Sequence, residues 1–243
     1  MAYARLYFFF LAFLLLDCYA QKTITFESYD GLPITADLYV DKKENPYIIL
    51  FHQEESSRGE YRETAPKMMK FGYNCLAVDL RSGKESCFVS NETSKLAEGS
   101  KRPSGMADCI QDINAAIDYI YKADTTKKIL LVGSSFSASL CLIVAKNNPA
   151  VKAVVAFSPG EYFGSAISLK DSLVGFDKPA LITGATEEAD YWKQLFSKTR
   201  TGGMTFFVPE RKKGQHGSKA LWKICDAQID YWIELMMFVK KIN

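Results

Sequence analysis

The segment best suited to do chemistry is a serine-rich turn between an apolar run and a helical pattern. Residues 129–132 are short and unbroken in their apolar character, as expected for a strand buried on both faces. An apolar, helix-length segment follows and ends at residues 147–149. The turn between them, residues 133–137, would lift the hydroxyl of Ser135 clear of the backbone and point the N-terminus of the helix at it. We interpret Ser135 as the nucleophile of a serine hydrolase.

Two other serines lie in the same turn. Ser137 occupies the last position of a G-x-S-x-G pattern, where glycine is usual, and falls in the first helical turn, where its hydroxyl can bond back to the backbone. Ser134 should point the other way along the strand. The alternative to a nucleophile is a serine-rich turn that only caps the helix.

A serine hydroxyl needs a base, and the chain has two histidines. His216 lies in a polar, glycine-containing loop between the last predicted strand and the last predicted helix. It also follows the serine and the candidate acids, in the order Ser, acid, His. We predict His216 as the base and His52 as a structural histidine that fixes its own loop.

The third member of such a site is a carboxylate that orients the imidazole. The segment after the strand that precedes the histidine strand offers three acids. Glu187 comes first after the turn and is preferred. Asp190 has a shorter arm but is expected inside the next helix, and Glu188 is the remaining alternative.

Backbone amides in two turns could stabilise an oxyanion. One is the amide of Phe136, directly after the serine. The other lies in the polar loop after residues 47–51, where we assign Glu54 first and Gln53 second.

The elements that must position these residues alternate between strand and helix patterns. The predicted strands are residues 23–26, 34–39, 47–51, 73–80, 129–132, 151–157, 179–184 and 204–208. The predicted helices are residues 61–70, 108–122, the segment after the turn at 133–137, 189–198 and 219–241. This alternation predicts an α/β fold, with a mostly parallel sheet covered by helices on both faces and an edge hairpin at the start.

Two further predictions concern the longest polar segment and the number of domains. Residues 81–104 read as an irregular binding loop or lid, or else as a solvated insertion. No repeat or linker interrupts the chain, so residues 21–243 are predicted to form a single domain.

Composition and the N-terminal segment limit the classes of protein. The 243 residues are 48% hydrophobic and carry a net charge of +2, which excludes a disordered chain and offers no basic field for nucleic acid. Residues 1–20 are typical of a signal peptide that ends before Gln21, and their apolar stretch is too short for stable membrane insertion. We therefore expect an exported protein, periplasmic or secreted. Lipoprotein anchoring through Cys18 is disfavoured by Asp17 before it.

The cysteines fit no zinc pattern. Cys75 and Cys141 lie in apolar segments and should be buried. Cys87 and Cys109 flank a polar loop and could form a disulfide after export, or both could stay free.

The order and spacing of these segments resemble the α/β-hydrolase superfamily, specifically small exported bacterial hydrolases of the dienelactone-hydrolase-like kind. The resemblance covers nearly all of the chain after residue 20 and is carried by residues 52–54, 77–81, 133–137, 179–187 and 216–217. It implies an α/β-hydrolase fold with a sheet of about eight strands, a Ser/acid/His triad and no cofactor. The short chain leaves room for a minimal cap domain or none.

Three positions depart from the family pattern. Gln53 follows His52 where glycine is usual, and Ser137 replaces the last glycine of the turn. The acid is most often Asp in the family, so Glu187 would need its longer arm to reach His216.

The predicted function is hydrolysis of small carboxylic esters or thioesters through Ser135, His216 and Glu187, with an acyl-enzyme intermediate. The alternatives are a peptidase or amidase with the same residues, and a small-molecule-binding protein without catalysis. We expect no metal and no nucleic-acid partner.

Overall fold

The computed structural model describes residues 20–126 and 128–243. The predicted signal peptide therefore lies outside the described residues except for its last residue, Ala20, and Cys18 lies outside them too.

Ten strands and seven α-helices follow one another along the described chain. The strands are β1 (Ala20–Glu27), β2 (Pro33–Val40), β3 (Tyr47–Phe51), β4 (Asn74–Val78), β5 (Glu85–Ser86), β6 (Val89–Ser90), β7 (Ile129–Ser134), β8 (Val151–Phe157), β9 (Ala180–Thr183) and β10 (Met204–Phe207). The helices are α1 (Ala65–Met69), α2 (Glu92–Gly99), α3 (Ile110–Ala123), α4 (Phe136–Asn147), α5 (Leu169–Ser172), α6 (Ala189–Leu195) and α7 (Gln228–Ile242).

Eight of these strands form one sheet in the order β1-β2-β4-β3-β7-β8-β9-β10. The pairs β1–β2 and β2–β4 are antiparallel, and the strands from β4 to β10 in this order pair in parallel. The central strands β4 and β7 are buried along their whole length, as their continuous apolar runs predict. The prediction of a mostly parallel sheet with an edge hairpin is confirmed.

Helices cover the sheet on both faces. Helices α3, α4 and α6 pack on one face and bury residues such as Ile113, Leu140 and Trp192. Helices α1 and α7 pack on the other face, where Met68 and Leu235 lie in a second apolar core. The connections after β3, β7, β8, β9 and β10 leave from the same edge of the sheet, because these strands are parallel. This edge carries the candidate site.

The segment at residues 81–104 is more ordered than its sequence predicts. It contains the two-stranded hairpin β5–β6 and helix α2. The side chain of Asn91 accepts a hydrogen bond from the amide of Ser94 and so caps α2 at its N-terminus. The prediction of an irregular loop is therefore wrong. The sequence did not reveal the short helix, because this helix is stabilised by the cap and by burial of Ala97 and not by a long apolar repeat.

Two predicted helices are shorter than their patterns. The first helix divides into a 3₁₀ turn, Arg58–Tyr61, and α1, which has Pro66 in its first turn. The last helix begins at Gln228 instead of residue 219. The stretch before it is a 3₁₀ turn, Ser218–Leu221, followed by a loop in which Ile224 is 87% exposed and so interrupts the apolar face.

All five described cysteines are free. Cys109 is fully buried in the apolar core, while Cys87 lies at the turn of the β5–β6 hairpin and is partly accessible. The structure thus contains no Cys87–Cys109 disulfide, because the two side chains lie in different environments.

No helix in the described ranges is both long enough and apolar enough to cross a membrane.

Candidate active site

The turn after β7 is a strained elbow. Ser135 has φ 59° and ψ −121°, a left-handed backbone conformation that non-glycine residues rarely adopt. Its amide donates to the carbonyl of Phe157 on β8 (2.8 Å), and its carbonyl accepts from the amide of Ala138 (3.0 Å). Gly133 makes the turn possible, because a Cβ there would lie 2.5 Å from the Cα of Ala138. The elbow therefore presents Ser135 at the edge of the sheet, as the sequence predicts.

The three serines of the elbow have different partners. The Oγ of Ser137 accepts from the amide of Ser134 (2.9 Å) and lies 2.8 Å from the carbonyl of Phe51, so it serves the backbone. The Oγ of Ser134 accepts from the amide of Ser218 (2.8 Å). Of these three serines, only Ser135 has its hydroxyl within hydrogen-bond distance of a base.

A continuous line of hydrogen bonds joins a serine, a histidine and a glutamate. The Oγ of Ser135 lies 2.9 Å from Nε2 of His216, and Nδ1 of His216 lies 2.5 Å from Oε1 of Glu188. Ser135 is 7% exposed, whereas the side chains of His216 and Glu188 are 42% and 19% exposed. The arrangement can remove the serine proton and stabilise the imidazolium that results.

The acid in this line is Glu188 and not Glu187. Glu187 is exposed and has no hydrogen bond to His216, and Asp190 is exposed and pairs with Lys193. The two candidates preferred from the sequence are therefore corrected. The reason is the 3₁₀ turn Thr186–Glu188, which directs its third residue into the cleft and its second residue toward solvent.

Two donors hold the second carboxylate oxygen of Glu188. The amide of Ala185 donates to Oε2 (2.9 Å), and the hydroxyl of Ser158 donates to the same atom (2.6 Å). Ser158 also accepts from the amide of Gly217 (2.9 Å), so it links the acid to the histidine loop. Ser158 directly follows β8 and has φ 57°. Sequence reasoning missed this residue, although the Ser-Pro-Gly that follows β8 is a signal at the correct edge.

His52 cannot act as the base. Its ring is fully buried, its Nε2 accepts from the amide of Leu80 (3.0 Å), and its Nδ1 lies 2.7 Å from the carbonyl of Gln53. Because Nε2 is an acceptor, Nδ1 must carry the proton that bonds the carbonyl. Both nitrogens of His52 are used to fix the loop after β3.

The amides proposed for oxyanion binding differ in availability. The amide of Gln53 donates to Oε2 of Glu60 (3.0 Å). Neither Glu54 nor Phe136 donates its amide to another described residue. Phe136 is the first residue of α4, where amides have no partner within the helix. Glu54 and Phe136 therefore offer free donors, and Gln53 does not.

Tyr162 completes the described surroundings of Ser135. Its hydroxyl donates to the carbonyl of Ser158 (2.7 Å), and its ring lies against Gly160. Burial raises the pKa of this hydroxyl, although an interaction with Ser135 lowers it in part. Tyr162 was not predicted from the sequence. Within the described ranges, no group of three or more His, Cys, Asp or Glu side chains could hold a metal ion.

Comparison with known proteins assigns the chain to a family. A family profile described as "Dienelactone hydrolase family" matches residues 34–199, more than half of the chain. The chain belongs to the dienelactone hydrolase family. It is accordingly a carboxylesterase-like hydrolase. Among curated proteins, no sequence matches this chain.

Solved structures share its fold. An esterase of Pyrococcus furiosus is 17% identical, with a TM-score of 0.68, and the alignment covers 93% of this chain and 94% of that one. A dienelactone hydrolase of Anabaena variabilis is 13% identical, with a TM-score of 0.69 and coverage of 92% and 98%. A putative dienelactone hydrolase of Klebsiella pneumoniae is 16% identical, with a TM-score of 0.69 and coverage of 93% and 100%. At these identities the likeness concerns the fold, which is that of the α/β hydrolases.

Proposed function

We propose that this dienelactone hydrolase family member is a serine hydrolase that cleaves small carboxylic esters or thioesters. The observation that carries the proposal is the line of hydrogen bonds from Ser135 through His216 to Glu188. Ester hydrolysis in this family agrees with it.

Each residue has a separate role in the proposed reaction. His216 takes the proton from Ser135 as the Oγ attacks the substrate carbonyl carbon, and it then gives that proton to the leaving alcohol or thiol. Glu188 holds the imidazole in the tautomer that leaves Nε2 free and stabilises the cation. The amides of Glu54 and Phe136 bind the oxyanion, and water then releases the acid from the acyl-enzyme.

Substitution of the two reacting residues tests the proposal. We expect Ser135→Ala and His216→Ala each to abolish p-nitrophenyl acetate turnover, because each removes a group that the chemistry requires. Circular dichroism should show that both variants remain folded. Wild-type turnover by either variant would contradict the proposal.

A fluorophosphonate probe separates catalysis from binding alone. It should label wild-type protein at Ser135, as located by mass spectrometry of the digested chain, and should not label Ser135→Ala. Failure to label the wild type would favour the non-catalytic alternative. Faster cleavage of a peptide anilide than of the matching ester would favour the peptidase or amidase alternative.

We also propose that the protein is exported after removal of residues 1–20. The support is the sequence of this segment, with a basic start, an apolar stretch and a small-x-small site before Gln21. Expression of the full chain in a bacterial host should give a periplasmic or secreted protein whose first residue, by mass spectrometry, is Gln21. A cytoplasmic protein that begins at Met1 would contradict export.

A further inference from the structure

A buried carboxylate outside the triad joins the two loops that the proposed reaction uses. Glu60 is 1% exposed and lies in the 3₁₀ turn Arg58–Tyr61. Its Oε2 accepts from the amide of Gln53 (3.0 Å), and its Oε1 accepts from the hydroxyl of Ser218 (2.5 Å). One carboxylate thus holds the loop after β3 and the loop that carries the histidine.

The turn that carries Glu60 is itself firmly anchored. The amide and guanidinium of Arg58 both bond the carboxylate of Asp79 (2.8 and 2.5 Å). The hydroxyl of Tyr61 donates to the carbonyl of Phe51, the last residue of β3 (2.8 Å). The backbone carbonyl of Glu60 accepts from the indole of Trp222 (3.0 Å). The turn that carries the carboxylate is therefore held by Asp79, by the end of β3 and by Trp222.

Both oxygens of the buried Glu60 carboxylate are used by these two loops. A buried carboxylate is costly unless it is well hydrogen-bonded, and Glu60 forms no ion pair with any described residue. The hydrogen bonds from Gln53 and Ser218 therefore offset the cost of burying this carboxylate.

The two contacts of Glu60 lie next to reacting groups. Gln53 precedes Glu54, whose amide is a proposed oxyanion donor, and Ser218 lies two residues after His216. The loops also touch directly, since a Cβ on Gly217 would lie 2.5 Å from Oε1 of Gln53. By accepting from the Gln53 amide, Glu60 fixes the His52–Gln53 peptide, and the peptide that carries the Glu54 amide follows it directly.

We propose that Glu60 is a positioning residue that holds the Glu54 amide toward the substrate carbonyl oxygen and keeps this loop in register with the His216 loop. It touches neither substrate nor the triad, and it acts through the peptide of Gln53 and the hydroxyl of Ser218. The inference rests on the proposed hydrolase function.

Kinetics of Glu60 variants test this role. Glu60→Ala removes both contacts, and Glu60→Asp keeps the charge but has an arm too short to meet both partners. We expect each to lower kcat and kcat/KM for p-nitrophenyl acetate by about the same factor, roughly 10-fold or more, with KM nearly unchanged, because an oxyanion donor acts mainly in the transition state.

Three further variants separate positioning from a general structural role. Glu60→Gln should keep most activity, because its amide oxygen can accept from Gln53 while its nitrogen donates to the Ser218 hydroxyl. Ser218→Ala should lower kcat less than Glu60→Ala does, and the double variant should resemble Glu60→Ala alone. Glu63→Gln, an exposed carboxylate nearby, should match the wild type.

The pH profile distinguishes an effect on the loop that carries the Glu54 amide from an effect on His216. Glu60 does not contact His216, so the midpoint of kcat/KM against pH should be the same in Glu60→Asp and wild type while the plateau falls. A shifted midpoint would mean that Glu60 acts on the histidine and would overturn the proposal. Wild-type kcat in both Glu60→Ala and Glu60→Asp would also overturn the proposal. A loss confined to thermal stability would do the same.

The failures of the two proposals can be distinguished. If the wild type is not labelled by the fluorophosphonate, the hydrolase function fails before any variant is made. If the wild type is labelled and the Glu60 variants react normally, only the positioning role fails. Where Glu60→Ala does not fold, Glu60→Asp decides, and where neither folds, unchanged kcat in Ser218→Ala overturns the proposal.

Discussion

At the scale of residues, the site depends on which of two adjacent glutamates meets the imidazole. Oε1 of Glu188 lies 2.5 Å from Nδ1 of His216, and its other oxygen is held by Ser158 and Ala185. A carboxylate held in this way keeps its orientation while the imidazole gains and loses a proton. Glu187, one position earlier, is exposed and has none of these contacts.

The adjacent pair allows a matched experiment. Glu188→Gln should lower kcat for p-nitrophenyl acetate on the order of 10⁴-fold, because an amide no longer fixes the tautomer or stabilises the imidazolium. Glu187→Gln should leave kcat within about twofold, since an exposed substitution changes little. Steady-state assays of both variants beside wild type check this. A larger loss in Glu187→Gln than in Glu188→Gln would reverse the assignment.

At the scale of elements, the elbow depends on close contact between β7 and α4. The helix begins one residue after the nucleophile, so its first turn passes directly over the end of the strand. Ser137 fills the place where the family pattern has glycine, and its hydroxyl satisfies backbone groups of two elements. Gly133 is the position where no side chain fits.

We expect Gly133→Ala to destabilise the protein and to reduce turnover. The added Cβ would meet backbone atoms of Ala138 and Ser137 at 2.5 to 2.6 Å, and overpacking of this kind costs about 1–3 kcal/mol. This steric overlap can be relieved only if the elbow opens, and opening would move Ser135 away from His216. Urea denaturation and steady-state kinetics check both effects.

Gly99 provides the control. A Cβ there would meet no atom within 4 Å, and the residue ends helix α2. Gly99→Ala should leave turnover unchanged and raise the free energy of unfolding slightly, by up to about 1 kcal/mol. Equal destabilisation by both substitutions would contradict the steric explanation.

At the scale of the whole molecule, an ion network centred on a buried arginine joins the first hairpin, the segment after β4 and helix α3. Arg81 is fully buried and pairs with Asp112, also fully buried, and with Asp30 in the β1–β2 turn. Burial lowers the pKa of Arg81, but its hydrogen bonds to Asp112 and Asp30 outweigh this and raise it, so the guanidinium stays charged. These contacts tie the antiparallel edge of the sheet to the parallel part.

Removal of the central cation should be costly. Arg81→Leu leaves the buried carboxylate of Asp112 without its partner and should lower the free energy of unfolding by about 3–5 kcal/mol. Lys193→Ala breaks an exposed pair with Asp190 and should cost no more than about 1 kcal/mol. Urea denaturation of both variants measures the difference. Similar small losses in both would show that the network contributes little.

The same network predicts how stability changes in acid. Hydrogen bonds from Arg81 lower the pKa of Asp30 to about 2, below its ordinary value of 3.8. Because the folded-state pKa is the lower one, the stabilisation is complete above the ordinary pKa and is lost as the pH falls toward 2. The difference in unfolding free energy between wild type and Asp30→Asn should therefore be constant near neutral pH and shrink in acid. A difference that stays constant down to pH 2 would contradict this.

Much of the architecture and part of the site could be predicted from the sequence. Alternating apolar runs and helical patterns predicted the sheet, because buried strands and helices each have a characteristic spacing of apolar residues along the chain. The turn around Ser135 and the loop around His216 could be predicted because both follow strands of one parallel sheet, whose carboxyl ends meet at one edge. Helix α2 was missed, since it depends on a cap at Asn91 and on burial of one small face.

Only the tertiary structure decided which acid forms a hydrogen bond with His216. Neighbouring residues in a 3₁₀ turn point in different directions, and the direction that faces the cleft depends on how the turn is held. Here the amide of Thr186 donates to the carbonyl of Lys213 in the histidine loop (2.9 Å), and the amide of Ala185 donates to the carboxylate of Glu188. Glu60 escaped prediction for the same reason. Its partners Gln53 and Ser218 are 7 and 158 residues away along the chain, and only the fold brings all three together.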